Sequence, residues 1–305
     1  MATPSSRFGE LPTFELPTCL DFLKLKNFPL KTFPAVNEPE RPVQDTLFIY
    51  GPGYRNSEAS FDVECLIIQV YLKFCGIEYQ VYNINEPESS PSGKLPFLAT
   101  VSGAVYDSRQ TIHWVKETRK MDKELESNMD KEQAKAFIAL VENKLNAALL
   151  FSMWMEPLNN SEITNKYYFG HIPVPVNKAL AFQKQNEVVQ TLLTDRDILV
   201  REEVKKRERE RERDYFNYAA QTLESLSVKL GEHQYFFNSS EPTYIDAVVF
   251  SYLHCILSMP KIVDGQFTDE EKRQASTLSK LVRKQENLVK YAKHIFEHYI
   301  RNDQK

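Results

Sequence analysis

The chain has 305 residues, 42% hydrophobic and 26% charged, with only 9 glycines and a formal net charge of −4. This composition excludes a fibrous or disordered chain, and the acidic balance gives no reason to invoke nucleic acid, which favours basic chains. Four widely spaced cysteines (Cys19, Cys65, Cys75, Cys255), with no Cys-x-x-Cys, read as free thiols in a reducing compartment.

Residues 1–45 stand apart. They hold seven of the 16 prolines, interleaved with leucines and with Phe14, Phe22, Phe28 and Phe33. Proline density favours extended backbone, but so many apolar side chains suit an arm packed on this chain or on a partner better than a solvated linker. Glu10, Glu15 and Asp21 argue against a cleavable presequence. No run approaches the roughly 18 consecutive apolar residues of a spanning helix, and the terminal HIFEHYIRNDQK is polar. Membrane contact is therefore expected to be indirect, through other proteins.

From residue 46 the periodicity predicts a strand at Leu47–Tyr50, a Gly51-Pro52-Gly53 turn, a helix over 60–75 and a second strand at Glu78–Ile84. That order implies a parallel pair with a right-handed crossover. Asn85–Ser92 is too broken by Pro and Ser for a helix. Strands at Leu95–Thr100 and Ala104–Tyr106 and a helix over 108–120 complete a βαβ, then ββα, pattern. Beyond residue 130 the helical period takes over. One long amphipathic helix is expected at Lys131–Met155, ended by Pro157, then a non-helical stretch over 159–177, where alternating prolines interrupt. Further helices are expected at 178–193, 195–230, 243–258 and 269–300.

The local motifs each have a plain reading. Thr243 followed by Asp246 opens an apolar helix as a capping box, worth about 0.5–2 kcal/mol if removed. Asp107-Ser108 begins another helix, with Gln110 placed to complete a second box, although a helix start is also a ready anion site. In the loop after the first strand, Tyr54, Ser57 and Ser60 are the available hydroxyls, and none stands out as a nucleophile. Cys65 is expected inside the helix, away from its N-terminus, where the dipole does little for its pKa. Lys205–Asp214 pairs its charges at i,i+3 and reads as a salt-laced helix. His294 and His298 lie one turn apart without a third ligand. No cofactor or metal is expected.

Gly93-Lys94-Leu95-Pro96-Phe97, the hairpin after it and Asp107-Ser108 resemble the second half of the thioredoxin-like domain in glutathione-transferase-type proteins, where the proline is cis. Thr243-x-x-Asp246 is similar to a helix start in their helical domain. Loss of the helix after the second strand, and Gly170-His171-Ile172-Pro173-Val174-Pro175, resemble the metaxin family and, within it, the small peripheral subunit of the fungal sorting and assembly machinery. The resemblance implies an α/β plus all-α fold, glutathione-transferase-like, with a thioredoxin-like domain lacking one helix at 46–122 and an all-helical domain at 123–305. It implies a structural role for Pro96, Asp107, Ser108, Thr243 and Asp246. It also implies a non-enzymatic subunit at the cytosolic face of the mitochondrial outer membrane. Its partners would be a β-barrel membrane protein of the same complex, a second metaxin-like subunit and β-barrel precursor polypeptides. Phe14, Phe22, Phe28, Phe33 and Leu95 are the candidate partner contacts. The competing readings are a soluble glutathione transferase or ligand-binding relative, and an assembly module of a translation complex.

Overall fold

The computed structural model describes residues 42–119, 125, 127–194, 208–263 and 266–301. The arm's phenylalanines and the expected 122/123 boundary lie outside these residues. Four strands form one mixed sheet in the order β2-β1-β3-β4, from β1 (Thr46–Ile49), β2 (Gln80–Asn83), β3 (Phe97–Ala99) and β4 (Val105–Asp107). β1 runs parallel to β2 and antiparallel to β3, and β3 runs antiparallel to β4. The β1–β2 crossover is helix α1 (Val63–Phe74); between β2 and β3 there is only a short 3-10 turn at Pro87–Ser89. The Leu95–Pro96 peptide is cis. Gly53 is required by close approach, since a Cβ there would meet the Ala59 carbonyl oxygen at 1.8 Å.

Helix α2 (Ser108–Trp114) begins at the predicted box. Asp107 Oδ1 accepts the Gln110 N–H at 2.8 Å, and Gln110 Oε1 accepts the Asp107 N–H at 3.1 Å. The helical portion opens with α3 (Asn128–Leu140) and α4 (Asn146–Leu150), joined by π turns into one run to Met155. This run is long and apolar enough to cross a membrane by length and composition, which a count of consecutive apolar residues misses because Glu142 and Lys144 interrupt it. Val141, Leu145, Ala148, Leu149, Met153 and Trp154 bury themselves in the core, the use a core helix makes of the same composition.

Two helix expectations need correction. The stretch over 159–177 is largely helical. Pro157 sits at the first helical position, where its missing N–H costs nothing, and Glu156 caps by accepting the Asn159 N–H at 2.7 Å. Thus α5 (Pro157–Asn159) and α6 (Asn165–Phe169), with a π turn between, run up to Gly170, and α7 (Val176–Thr194) starts directly after Pro175. The single helix over 269–300 is three: α10 (Asp269–Ala275), α11 (Thr277–Arg283) and α12 (Glu286–Ile295). At the first break the Ser276 hydroxyl donates to the Lys272 and Arg273 carbonyls, at 2.8 and 3.1 Å, competing with the helical ladder. Helix α8 (Glu208–Leu230) covers the later part of the expected 195–230 helix, whose first part lies outside the described residues together with the side chains of residues 205–213.

The core is continuous across both portions, and residues 41–305 form one compact unit. Its spine is α1 against α9 (Tyr244–Ser258). Leu66, Val70 and Leu72 of α1 are 0% exposed, as are Val248, Val249, Phe250 and Leu253 of α9. The cap of α9 is more than a local device. Asp246 is fully buried, and its carboxylate accepts the Thr243 N–H (2.8 Å), the Thr243 hydroxyl (3.1 Å), the Phe236 N–H (3.0 Å) and the Tyr291 hydroxyl (2.9 Å). It ties the turn before α9 and helix α12 to one anion.

Removing that anion leaves several buried donors unpartnered, each costing about 1–3 kcal/mol. Asp246→Ala is therefore expected to destabilise by about 3 kcal/mol or more, beyond the capping range, and Thr243→Ala by about 1 kcal/mol. Equilibrium denaturation of the two variants measures this, and equal small losses would contradict the hub. Burial raises the Asp246 pKa to about 6 from 3.8, opposed by its hydrogen bonds. The folded state then binds a proton more tightly than the unfolded state. This group's contribution is accordingly largest below about pH 4 and declines as pH rises through about 6. Wild type compared with Asp246→Asn across that window should show the decline in wild type alone.

Candidate functional site: a closed thiol position

In the fold predicted from the sequence, chemistry would sit at the loop after β1 and the start of α1. The loop turns through Arg55 and Asn56, both left-handed with φ of 60° and 59°, and the Tyr54 ring lies inward, 4% exposed. Tyr54 packs edge-on against Tyr167 at 4.7 Å and tilted against Phe61 at 5.9 Å. Ser60 is 1% exposed; its hydroxyl donates to the Tyr50 carbonyl at 2.6 Å and accepts the Asp62 N–H at 3.2 Å. The Ser57 hydroxyl accepts the Ala59 N–H at 3.3 Å within the turn. The Ser60 hydroxyl is thus committed to structure, the Tyr54 ring is packed inward, and Ser57 is half-buried within its turn.

Cys65 is the residue the sequence misplaced. Because α1 begins at Val63 and not at residue 60, Cys65 stands in its first turn, near the positive end of the dipole. Position alone would favour a thiolate there. The surroundings reverse this. Cys65 is 0% exposed, and burial, then the Asp62 carboxylate, push its pKa well up. Asp62 caps the helix by accepting the Cys65 N–H at 3.0 Å on Oδ1, and its other oxygen accepts the Tyr168 hydroxyl at 2.8 Å from 106 residues away. A negative charge already occupies the anion-binding end of α1, with Glu64 beside it in the first turn.

Tyr168 belongs to α6 and brings an aromatic lid with it. Its ring meets Phe61 edge-on at 5.0 Å and Tyr50 at 5.0 Å, and Trp154 packs behind it at 5.4 Å. Burial raises the Tyr168 and Tyr54 hydroxyl pKa values well above the ordinary phenol value, so neither supplies a phenolate near neutrality. Further along the seam between the two portions, burial raises the Glu64 and Glu142 carboxyls; Lys94 opposes the shift at the first and Arg109 at the second. Among the described residues no cluster of His, Cys, Asp and Glu could hold a metal ion. The His294 and His298 rings lie 4.0 Å apart and tilted, and His254 stacks on Phe296, its pKa lowered to about 4 by burial.

The candidate structural residues fall where the sequence put them, with Pro96 at the start of β3, Asp107 and Ser108 at the start of α2, and Thr243 and Asp246 at the start of α9. Leu95 requires correction as a contact residue. Its side chain is 4% exposed and part of the core, so it offers a partner no apolar surface. The strand beside Pro96 is not an open edge either, because β3 pairs on both sides. The open edges are β2 and β4. The edge strand β2 was expected to alternate, yet all four of its residues are exposed, Val81 by 40% and Tyr82 by 57%.

Residues 65–185 match the family described as "Outer mitochondrial membrane transport complex protein", and residues 219–295 match "Glutathione S-transferase, C-terminal domain". Metaxin-1 of Sus scrofa is 32% identical over 79% of this chain and 71% of its own length. Metaxin-2 of Homo sapiens is 31% identical over 77% of this chain and 81% of its own. Among solved structures, a glutathione S-transferase of Ceriporiopsis subvermispora in complex with glutathione superposes with a TM-score of 0.48 at 14% identity, over 80% of this chain and 97% of that one. The chain belongs to the metaxin family, proteins of the outer mitochondrial membrane complex built on the glutathione-transferase-like fold.

Proposed function

We propose that the chain is a non-enzymatic subunit of the outer-membrane sorting and assembly machinery, one that helps a central β-barrel subunit accept incoming β-barrel precursors on the cytosolic side. A second metaxin-like subunit is its other expected neighbour. The observation that carries the non-enzymatic half is the Asp62–Tyr168 closure over the thiol position in a chain of this family. A soluble transferase would need a hydroxyl or thiol open to substrate, whereas Tyr54, Ser60 and Cys65 are buried and Ser57 is half-buried within its turn.

The assembly half is supported by the β2 edge. In the parallel β1–β2 ladder the Gln80 N–H donates to the Asp45 carbonyl and the Ile84 N–H to the Ile49 carbonyl. The alternation leaves the Val81 and Asn83 backbone groups facing away from β1. An extended precursor strand could add there by main-chain hydrogen bonds, with Tyr82 and Val81 as apolar neighbours. The Pro-rich arm, through Phe14, Phe22, Phe28 and Phe33, is the proposed contact with the barrel subunit.

Glutathione conjugation and thiol-exchange assays should stay at background, and activity abolished by changing Tyr54 or Ser60 would overturn the non-enzymatic reading. Val81→Pro removes an outward N–H without touching the β1 ladder and is tolerated on an edge. It should leave the fold intact and reduce crosslinking to a stalled β-barrel precursor by about tenfold, the loss of roughly 1.4 kcal/mol; undiminished crosslinking would remove β2 as the receptor edge. Deleting residues 1–41, which spares Asp45 and its bonds to Gln80 and Val101, should weaken copurification with the barrel subunit while thermal melting of the remainder is unchanged. Full assembly of the truncated chain would exclude the arm.

A further inference from the structure

Helix α7 shows its apolar residues on the wrong side for a core. Val174, Val176, Leu180 and Phe182 are 67%, 51%, 37% and 65% exposed, and Pro173 and Pro175 beside them are exposed too. The helix cannot roll to hide them. Its inner side is set by Val188 and Leu192, 5% and 6% exposed, and by Gln185, whose Nε2 donates to the Trp154 carbonyl at 2.8 Å. At 100° per residue, Val176, Ala179, Leu180 and Gln183 fall on the side opposite those three, with Phe182 at its border. The first two turns of α7 and the prolines before them therefore form a contiguous apolar projection.

The charges around it have one sign. From residue 163 to 186 the chain contains Lys166, Lys178, Lys184 and His171 and not one Asp or Glu, in a molecule whose net charge is −4. Lys166 and Lys184 reach acids just beyond the segment's two ends, Glu162 at 2.6 Å and Glu187 at 3.1 Å, in exposed pairs that contribute little. Lys178 is exposed, falls on the Gln185 side of the helix one turn before Phe182, and has no acid in its segment.

We propose that this face is a membrane-interface site, which seats Val174, Val176, Leu180 and Phe182 at the headgroup–acyl boundary of an anionic bilayer with Lys178 among the headgroups. Apolar tips fringed by a single positive sign match an anionic lipid surface, which offers the same chemistry all round the patch. A helix with an apolar face and basic flank lies in the interface plane and does not span it. This adds direct lipid contact to the indirect attachment expected from the sequence. It goes beyond the proposed function, which needs only protein contacts.

The test uses the purified full chain and sedimentation with two kinds of vesicle, phosphatidylcholine alone and phosphatidylcholine with about one fifth phosphatidylinositol. Wild type should bind the anionic vesicles about tenfold more tightly than the neutral ones, and added salt should weaken that binding. The double variant Leu180→Ser, Phe182→Ser should lose about tenfold in affinity, and Lys178→Glu about threefold, with melting temperatures unchanged because these side chains lie outside the core. Absence of wild-type binding to either vesicle overturns the proposal. So does a double variant that binds vesicles as wild type does but no longer captures the β-barrel subunit, which would assign the face to protein. Neither result bears on precursor handling at β2.

Discussion

One carboxylate ties the start of α1 to the helical portion at the position where a thiol sits. Asp62 uses one oxygen to cap α1 and the other to receive Tyr168 from the helical portion. A helix start with free N–H groups is an anion site, and in a glutathione-transferase-like fold it lies beside the thiol-handling residue. Here the anion is built in. Burial, and then its charge, raise the pKa of Cys65, and the hydroxyl it binds holds Tyr168 with Trp154 and Tyr167 against Tyr54 and Phe61. The same contact that joins α1 to α6 buries the Cys65 thiol beneath aromatic rings.

Away from this position the molecule presents two surfaces. The sheet presents β2 as an edge with no helix following it, since the 85–92 connection holds only a 3-10 turn. The helical portion presents the apolar start of α7. The stability needed to hold these surfaces in place is concentrated in the α1–α9 spine and in the Asp246 hub, where a buried anion is satisfied by groups from three places in the chain.

What was legible in the sequence was local. The Asp107–Gln110 box, the Thr243–Asp246 pair and the strand opening on Pro96 are patterns within four residues, and each is found where it was read. The order βαβ, then ββα, followed from period changes, and the missing helix from the Pro- and Ser-broken stretch Asn85–Ser92. What failed depended on distance. Tyr168 meets Asp62 across 106 residues and Tyr291 meets Asp246 across 45, and nothing in either local pattern announces the partner. Cys65 was misjudged by a three-residue error in the start of α1, enough to move a thiol from a helix interior to its first turn. Pro157 was read as a stop when it starts the next helix, because the same residue suits both positions. β2 was assigned two faces although it has no covering layer, a tertiary fact that its alternation cannot carry.

The closure at Asp62 is the central claim, and the reactivity of Cys65 tests it most directly. In a variant keeping Cys65 as its only cysteine, labelling by a small uncharged thiol reagent is timed in native conditions and compared with the global unfolding rate. If Tyr168 and Asp62 seal the position, Cys65 labels only through global opening, and Tyr168→Ala accelerates labelling by at least about tenfold without matching acceleration of unfolding. Labelling of the native Cys65 protein at the rate of an exposed thiol, unaffected by Tyr168→Ala, would contradict the account.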